Sequence, residues 1–301
     1  MLRVTRKQKE AYAASLISMT RRRSQFGDII RRLFKNKLSI IGLAIVLVLV
    51  ILTVFAPVFT KYNYDAQEFS NKLAFPSAEH IFGTDNFGRD IWSRMLYGGR
   101  ISLLVAVVAV AISLSAGIIL GATAGFFGGK TDTVISRILD VIMAIPGLLL
   151  AIAVSAALGS GPIKTAIAIS ISGMPSAARI VRSTVMSIKN NEFVEAATAT
   201  GSSSARIILI HILPNILAPV IVDATLRLGG SILQISGLSF IGLGVQPPTP
   251  EWGSILSAGR EYIRTFWPMT VFPGVFIALT MFGFNLFGDG LRDALDPKLK
   301  N

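Results

Sequence analysis

Chemistry needs groups that exchange protons, electrons or metals, and this chain offers few of them. Its only histidines are His80 and His211, and it has no cysteine. A nucleophile with its activating base, or a metal with converging ligands, needs a local cluster that two distant histidines do not supply. The missing thiols also exclude disulfides and thiolate metal sites. One stretch has the look of a phosphate site: AGFFGGKT, Ala124–Thr131, a P-loop pattern with alanine in place of the first glycine. Such a lysine and threonine meet phosphates and magnesium only where the loop follows a buried strand and opens a helix. Here an apolar run of helix length precedes the loop, and no apolar strand ending in a metal-binding aspartate follows it. Lys130 is therefore read as a short-loop charge.

The remaining candidates are charges set inside apolar sequence. Asp223 and Arg227 stand one helical turn apart, and Arg137 and Asp140 stand three residues apart. An ionised side chain at the centre of a membrane helix costs about 2.5–3.5 kcal/mol, so such residues pair or face a wet cavity. Asp223 and Arg227 accordingly have two readings. They are opposite signs along a translocation path, able to meet a zwitterionic solute, or a structural pair near the outer mouth. Asn285, Asp289, Arg292 and Asp293 are read as serving the cytoplasmic end of the last apolar segment.

The elements that hold these residues are membrane helices. The chain is 52% hydrophobic and 15% charged, with a mean hydropathy of +0.62, whereas a soluble domain carries about 25% charged residues. Leu38–Thr60 is free of charge, and as a helix it is about 34 Å long, enough for a hydrocarbon core of about 30 Å. Further apolar segments run over 101–127, 134–158, 163–186, 207–238 and 267–286. The expected fold class is an all-α membrane protein with six transmembrane helices. Pro175, Pro214 and Pro219 fall inside the fourth and fifth, where neighbouring helices can satisfy the freed carbonyls.

Along the chain, 1–37 is a basic cytoplasmic tail, 38–60 the first transmembrane helix, 61–100 an external loop and 101–301 a five-helix core. The tail holds eleven Lys/Arg against two acids. With both termini cytoplasmic, the cytoplasmic segments carry twenty basic residues and the external ones eight, as the positive-inside rule asks. Phe26, Ile29, Ile30, Leu33 and Phe34 share a helical face, with Arg31, Arg32 and Lys35 opposite, which suits a helix lying on anionic lipid. Outside, the prolines of QPPTPEWG (246–253) should hold the chain extended, and Thr84 or Asp85 should cap a helix through Trp92 and Tyr97. In the second span Ser113, Gly117, Gly121 and Gly125 recur every four residues, a face that lets another helix approach closely. Whether that helix belongs to this chain is left open.

Between the fourth and fifth spans lies a polar, small-residue stretch, EFVEAATATGSSS. Asn191 can cap a helix whose first turn holds Glu192 and Glu195, where the helix dipole favours negative charge. Phe193, Ala196, Ala197 and Thr200 then share a face. Gly201 ends the helix, because it takes a left-handed conformation without a Cβ penalty. Ser202 or Ser203 opens a second helix that bends near Pro214. A short helix, a sharp turn and a rod into the membrane would suit docking of an external partner.

EAATATG, nine further residues and HILP together resemble the cytoplasmic loop motif of permease subunits in ATP-binding-cassette (ABC) importers. Glu195, Ala196, Ala197, Gly201, Leu213 and Pro214 match that pattern, and His211 stands where it has isoleucine. HIFGTDNFGRDIWSRMLYGGRISL (80–103), GLGVQPPTPEWG (242–253) and GDGLRDALDPKLK (288–300) are similar to the C-type permease of dipeptide, oligopeptide and nickel importers. The likeness spans about residues 25–300. It implies a type I ABC-importer permease fold in the cytoplasmic membrane of a prokaryote, moving di- or oligopeptides, with nickel complexes or haem as alternative cargo. It implies a coupling loop over 189–206, in which Glu192, Phe193, Glu195, Ala196, Ala197 and Gly201, with Leu213 and Pro214, meet the ATPase. The implied partners are a B-type permease, two ABC ATPase subunits, an extracytoplasmic substrate-binding protein and membrane lipid, with no nucleic acid. ATP and magnesium belong to the ATPases, and this chain is expected to bind no cofactor and no metal.

Other function classes fit less of the sequence. A secondary transporter usually shows inverted repeats and midplane coupling-ion residues, and no convincing repeat is visible. A membrane-embedded enzyme would need a convergent Ser/His/Asp or His/Glu set. An uncoupled channel is compatible with composition alone.

Overall fold

A computed structural model describes residues 25–295. The tail before residue 25 and the stretch from 296 onward, with their parts of the basic-tail and GDGLRDALDPKLK readings, lie outside the described residues. Among the described residues every regular element is helical. Helix α1 (Gln25–Leu33) lies against the last helix. Asn36 caps α2 (Lys37–Val54), its Oδ1 accepting from the Leu38 backbone N–H at 3.0 Å, and the short α3 (Ala56–Phe59) follows.

Helix α4 (Ile91–Phe127) has 37 residues and begins well before its apolar stretch. Its cap is Asp90, not Thr84 or Asp85. Asp90 Oδ2 accepts from the Ser93 N–H at 2.7 Å, and Oδ1 stands 2.9 Å from His80 Nδ1. Asp85 is occupied elsewhere: it accepts from the Phe87 and Arg89 backbone N–H groups and pairs with Arg89 Nε at 2.7 Å. Thr84 Oγ1 accepts from the Ala74 N–H. Asp85, Asp90, Arg89 and His80 are buried together, so the segment before α4 is a packed polar cluster.

The expected third span is broken. Helices α5 (Gly129–Met143) and α6 (Gly147–Leu158) meet at 86°. Pro146 stands at the corner, where it lacks an N–H to continue α5 and steers Ile145 away from helical dihedrals. Helix α7 (Pro162–Ile188) runs through Pro175 and packs on α4, α5 and α6. Helix α8 (Glu192–Ala199) and the single turn α9 (Ser204–Arg206) lead through a π-helical turn, Ile207–Ile212, into α10 (Leu213–Phe240). The last described elements are α11 (Trp252–Gly259) and α12 (Pro268–Leu295).

Among the described residues four rods are long and apolar enough to cross a membrane: Lys37–Val54, Ile91–Phe127, Ser204–Phe240 and Pro268–Leu295. The bent α5–α6 pair makes a fifth if taken as one span. Helix α7, with 27 residues, has the length but carries Ser, Thr, Gly, Lys and Arg in place of a continuous apolar surface. Its neighbours explain this, because a helix enclosed by protein needs no lipid-compatible surface all round. The sequence count of six therefore rests on α7 and on the bent pair.

The small-residue face of α4 meets α7, so its partner is internal. A Cβ added at Gly117 would stand 2.7 Å from Ala177 Cβ, and one at Gly125 would stand 2.9 Å from the Arg182 carbonyl oxygen. At Gly121 it would lie 2.3 Å from the Ala178 carbonyl oxygen. Without a strong hydrophobic drive between helices in lipid, such backbone approach is what van der Waals packing requires.

At the far end of α4, QPPTPEWG turns into the protein rather than staying extended to its end. Glu251 caps α11, accepting from the Ser254 N–H at 3.0 Å and from Ser102 Oγ at 3.0 Å. Burial pushes its carboxyl up from the ordinary range, against hydrogen bonds from Gly253, Ser239, Ser254 and Ser102. Trp252 is fully buried and donates Nε1–H to the Met95 carbonyl at 2.8 Å. Two apolar cores result. One joins α2, α4, α11 and α12 around Trp252, and the other gathers Val181, Val185, Ile212 and Ile216 at the opposite end.

Candidate functional site

Helix α8 sits on that second core. Asn191 precedes it in extended conformation without a side-chain cap bond, and its carbonyl accepts from the Val194 and Glu195 N–H groups. The helix closes on a pair of reversed bonds: the Gly201 N–H donates to the Thr198 carbonyl and the Ser202 N–H to the Ala197 carbonyl. That pattern needs a left-handed residue between them, and Gly201 has φ +77°. Ser203 then caps the next turn, accepting from the Arg206 N–H.

Only part of the expected α8 face turns inward. Val194 and Ala197 are buried at 4% and 7% exposure against Val181, Val185 and Ile207. Glu192, Phe193, Glu195, Ala196 and Gly201 are exposed. Ala197 therefore anchors the helix, while Phe193, Ala196 and Thr200, expected on its face, form a separate open surface. Val194, which sequence reasoning passed over, is the second anchor. Its signal was its i, i+3 spacing with Ala197.

The π turn explains how α8 connects to α10. Pro214 has no N–H to offer the Ile210 carbonyl, and its ring crowds that turn of a regular helix. The chain widens instead, with the Leu213 N–H donating to Ile208. The result is a continuous rod, Ser204–Phe240, rather than two hinged pieces. Leu213 is half-buried against the α8 core and Pro214 is exposed.

Asp223 and Arg227 lie farther along the same rod, roughly 15–20 Å from Leu213 at helical rise. They form an ion pair through Arg227 Nε and Asp223 Oδ2, with side chains 17% and 15% exposed. Arg227 Nη1 also donates to the Gly173 carbonyl of α7 at 3.1 Å. The pair lies near the middle of the Ser204–Phe240 rod. Asp140 pairs with Arg179 of α7 at 2.9 Å rather than with Arg137, and Arg182 of α7 holds Asp132 of α5 through Nη2 at 2.6 Å. Lys130 follows Gly128 and Gly129, both with positive φ, where α4 hands over to α5. AGFFGGKT thus joins helix to helix. Among the described residues no group of three or more His, Asp or Glu is arranged to hold a metal.

An alanine at Gly201 meets no atom within 4 Å, so its cost comes from φ alone. A left-handed non-glycine residue costs roughly 1–2 kcal/mol. Hydrogen exchange at the Gly201 and Ser202 amides should accelerate roughly tenfold in Gly201→Ala. Unchanged exchange there would show that the turn does not depend on glycine.

Comparison with known proteins places this geometry. Residues 117–301 match the family described as the binding-protein-dependent transport system inner membrane component, and residues 24–76 match the N-terminal TM domain of oligopeptide transport permease C. The chain is 50% identical over 279 residues to the dipeptide transport system permease protein DppC of Alkalihalophilus pseudofirmus, covering 92% of this chain and 91% of that one. It is 41% identical to the oligopeptide transport system permease protein OppC of Bacillus subtilis, with 92% and 91% covered. It is 42% identical to the glutathione transport system permease protein GsiD of Escherichia coli, with 98% of each covered. Among solved structures, an inward-facing conformation of the MetNI methionine ABC transporter aligns at TM-score 0.54 and 17% identity, over 67% of this chain and 96% of that one. That likeness shows the type I importer permease fold. The chain belongs to the family of binding-protein-dependent transport system inner membrane components, and within it to the C-type permeases that carry the oligopeptide-permease N-terminal domain.

Proposed function

We propose that this chain is one transmembrane subunit of an ATP-driven importer of di- and oligopeptides in a prokaryotic cytoplasmic membrane, with both termini cytoplasmic. The observation that carries the mechanism is the α8 turn. Glu192, Phe193, Glu195, Ala196 and Gly201 are open to a partner, while Val194 and Ala197 tie the helix to a rod that runs unbroken from Ser204 to Phe240. A push on α8 therefore moves α10 as a body, and with it Asp223 and Arg227. The peptide class is supported by dipeptide, oligopeptide and glutathione permeases among the relatives.

The work comes from two ABC ATPase subunits, which use ATP and magnesium, and this chain needs no cofactor or metal of its own. A B-type permease completes the pore, and an extracytoplasmic binding protein delivers the peptide at the α11 end. A photo-crosslinking residue at Phe193 should join this chain to an ATPase subunit in the assembled transporter. Ala197 is a poor position for that probe, being buried. A transporter that is intact and active yet gives no such product places the docking surface elsewhere.

A further inference from the structure

Two cavities meet at the Asp223–Arg227 pair. The deeper one, about 170 Å³, lies among α4, α7 and α10, with Arg227, Ser113, Ser231 and Gln234 in its wall. The other, about 600 Å³, lies toward the α8 end, and its wall includes Asp223, Asn215 and Arg292. The ion pair thus stands at the partition, its cation belonging to one chamber and its anion to the other.

The deeper chamber is unfinished chemically. Ser113 Oγ and Gln234 Oε1 are buried without a hydrogen-bond partner, and Ser113 is only 4% exposed. Arg227 uses Nε on Asp223 and Nη1 on Gly173, which leaves guanidinium donors over. Unpaired polar groups are costly inside a membrane protein, so a group of them around one space marks where a polar guest completes the bonding. A volume of about 170 Å³ has room for a small cluster of waters. That admits the charged end of a peptide and not a whole one. The guest's charge should be negative, because the chamber's one charge is the cation and the competing carboxylate faces the neighbouring space; the Ser113 hydroxyl can donate to it, while Gln234 Oε1, an acceptor, would take the peptide N–H beside the terminal carboxylate.

We propose that this chamber is a subsite for the free α-carboxylate of a peptide in transit, which Arg227 takes up as it releases Asp223. The exchange keeps Arg227 paired throughout. The freed Asp223 then faces the larger chamber, where water and Arg292 can meet it. Without a guest the pair is closed and neutral, offering an inorganic ion no uncompensated charge. This inference rests on the peptide-permease reading above.

The test uses the complete transporter, with its ATPases and binding protein, in proteoliposomes. Uptake of a dipeptide is compared with uptake of the same dipeptide amidated at its C-terminus, and the ratio of the two rates is read. The binding protein's own preference is the same in every sample, so a changed ratio originates in the permease. Asp223→Asn combined with Arg227→Gln leaves no unpaired charge and should lower the free-to-amidated ratio about tenfold, the scale of a charge-assisted hydrogen bond. Asp223→Asn alone should raise the ratio, since Arg227 then has no competitor. Ser113→Ala, which removes a hydroxyl donor from the wall, should lower the ratio several-fold and serves if the double variant does not assemble. A ratio that stays at the wild-type value in whichever of these variants transports overturns the subsite. Wild-type vesicles that take up neither peptide with ATP overturn the peptide-permease reading instead.

Discussion

Valine at Gly121 should leave less than about a tenth of the wild-type amount of folded permease in the membrane, because overpacking of this seam costs upward of ~3 kcal/mol. The obstruction is backbone. A Cβ at 121 would lie 2.3 Å from the Ala178 carbonyl oxygen, 2.8 Å from Val181 Cβ and 3.0 Å from the Arg182 nitrogen. No rotamer change relieves a contact with main chain. Gly117 and Gly125 hold the same seam at either side, so α4 and α7 can part at Gly121 only by parting along their whole contact. Separation also strains the Asp132–Arg182 pair, which ties α5 to α7. Gly237→Ala is the matched control: it sits in α10 with no atom within 4 Å of an added Cβ. Its helix propensity gain of about 0.5–1 kcal/mol should hold or raise the yield. Fluorescence-detected size-exclusion of the two variants measures this, and equal losses in both would remove the packing explanation.

The sequence marks this seam because small residues every four positions show in a single helix. It does not identify the opposing helix. Helix α7 answers the stripe with Ala177 and Ala178, residues too ordinary in an apolar chain to stand out. The same limit governs charge pairs. Arg137 and Asp140 were close in sequence, yet Asp140 found Arg179 on α7, 39 residues away, which only the fold brings near. Caps compete in the same manner. Thr84, Asp85 and Asp90 are all plausible starts for α4, and the outcome was set by Arg89, which holds Asp85, and by His80, which stands against Asp90.

Hydropathy located the greasy spans for a direct reason: lipid demands an apolar surface wherever protein does not cover the helix. It misjudged shape where protein does the covering. The corner at Pro146 divides one apolar segment into α5 and α6, and residue composition carries no direction. In α8, the helix itself and its glycine stop were legible from Asn191, the early acids and Gly201. The burial of Val194 was not, because an eight-residue helix has several candidate faces and the core beneath selects one. Glu251 was the least legible. An acid beside prolines in an outer segment reads as surface, and only the N–H groups of α11 with Ser102 and Ser239 make its burial tolerable.

Tryptophan at Ala196 should abolish ATP-driven uptake while the protein folds at the wild-type yield. Ala196 lies on the open side of α8, where substitutions usually change stability by no more than about 0.5 kcal/mol. An indole there stands between α8 and anything that docks close to its backbone. Displacing one central contact of an interface costs about 2–4 kcal/mol, so coupling should fall roughly 30- to 1,000-fold. Ala197→Trp should behave in the opposite order, because Ala197 is 7% exposed and backs onto Val181, Val185 and Ile207. It should lower yield first, with any surviving protein showing damaged transport as a consequence. Neighbouring residues of one short helix would thus separate docking from folding, read by yield and by uptake on the same preparations. Were Ala196→Trp to transport normally, the open side of α8 would not be the surface that receives the stroke. The rod from Ser204 to Phe240 would then have to be driven from its own exposed flank, near Leu209 and Ile210.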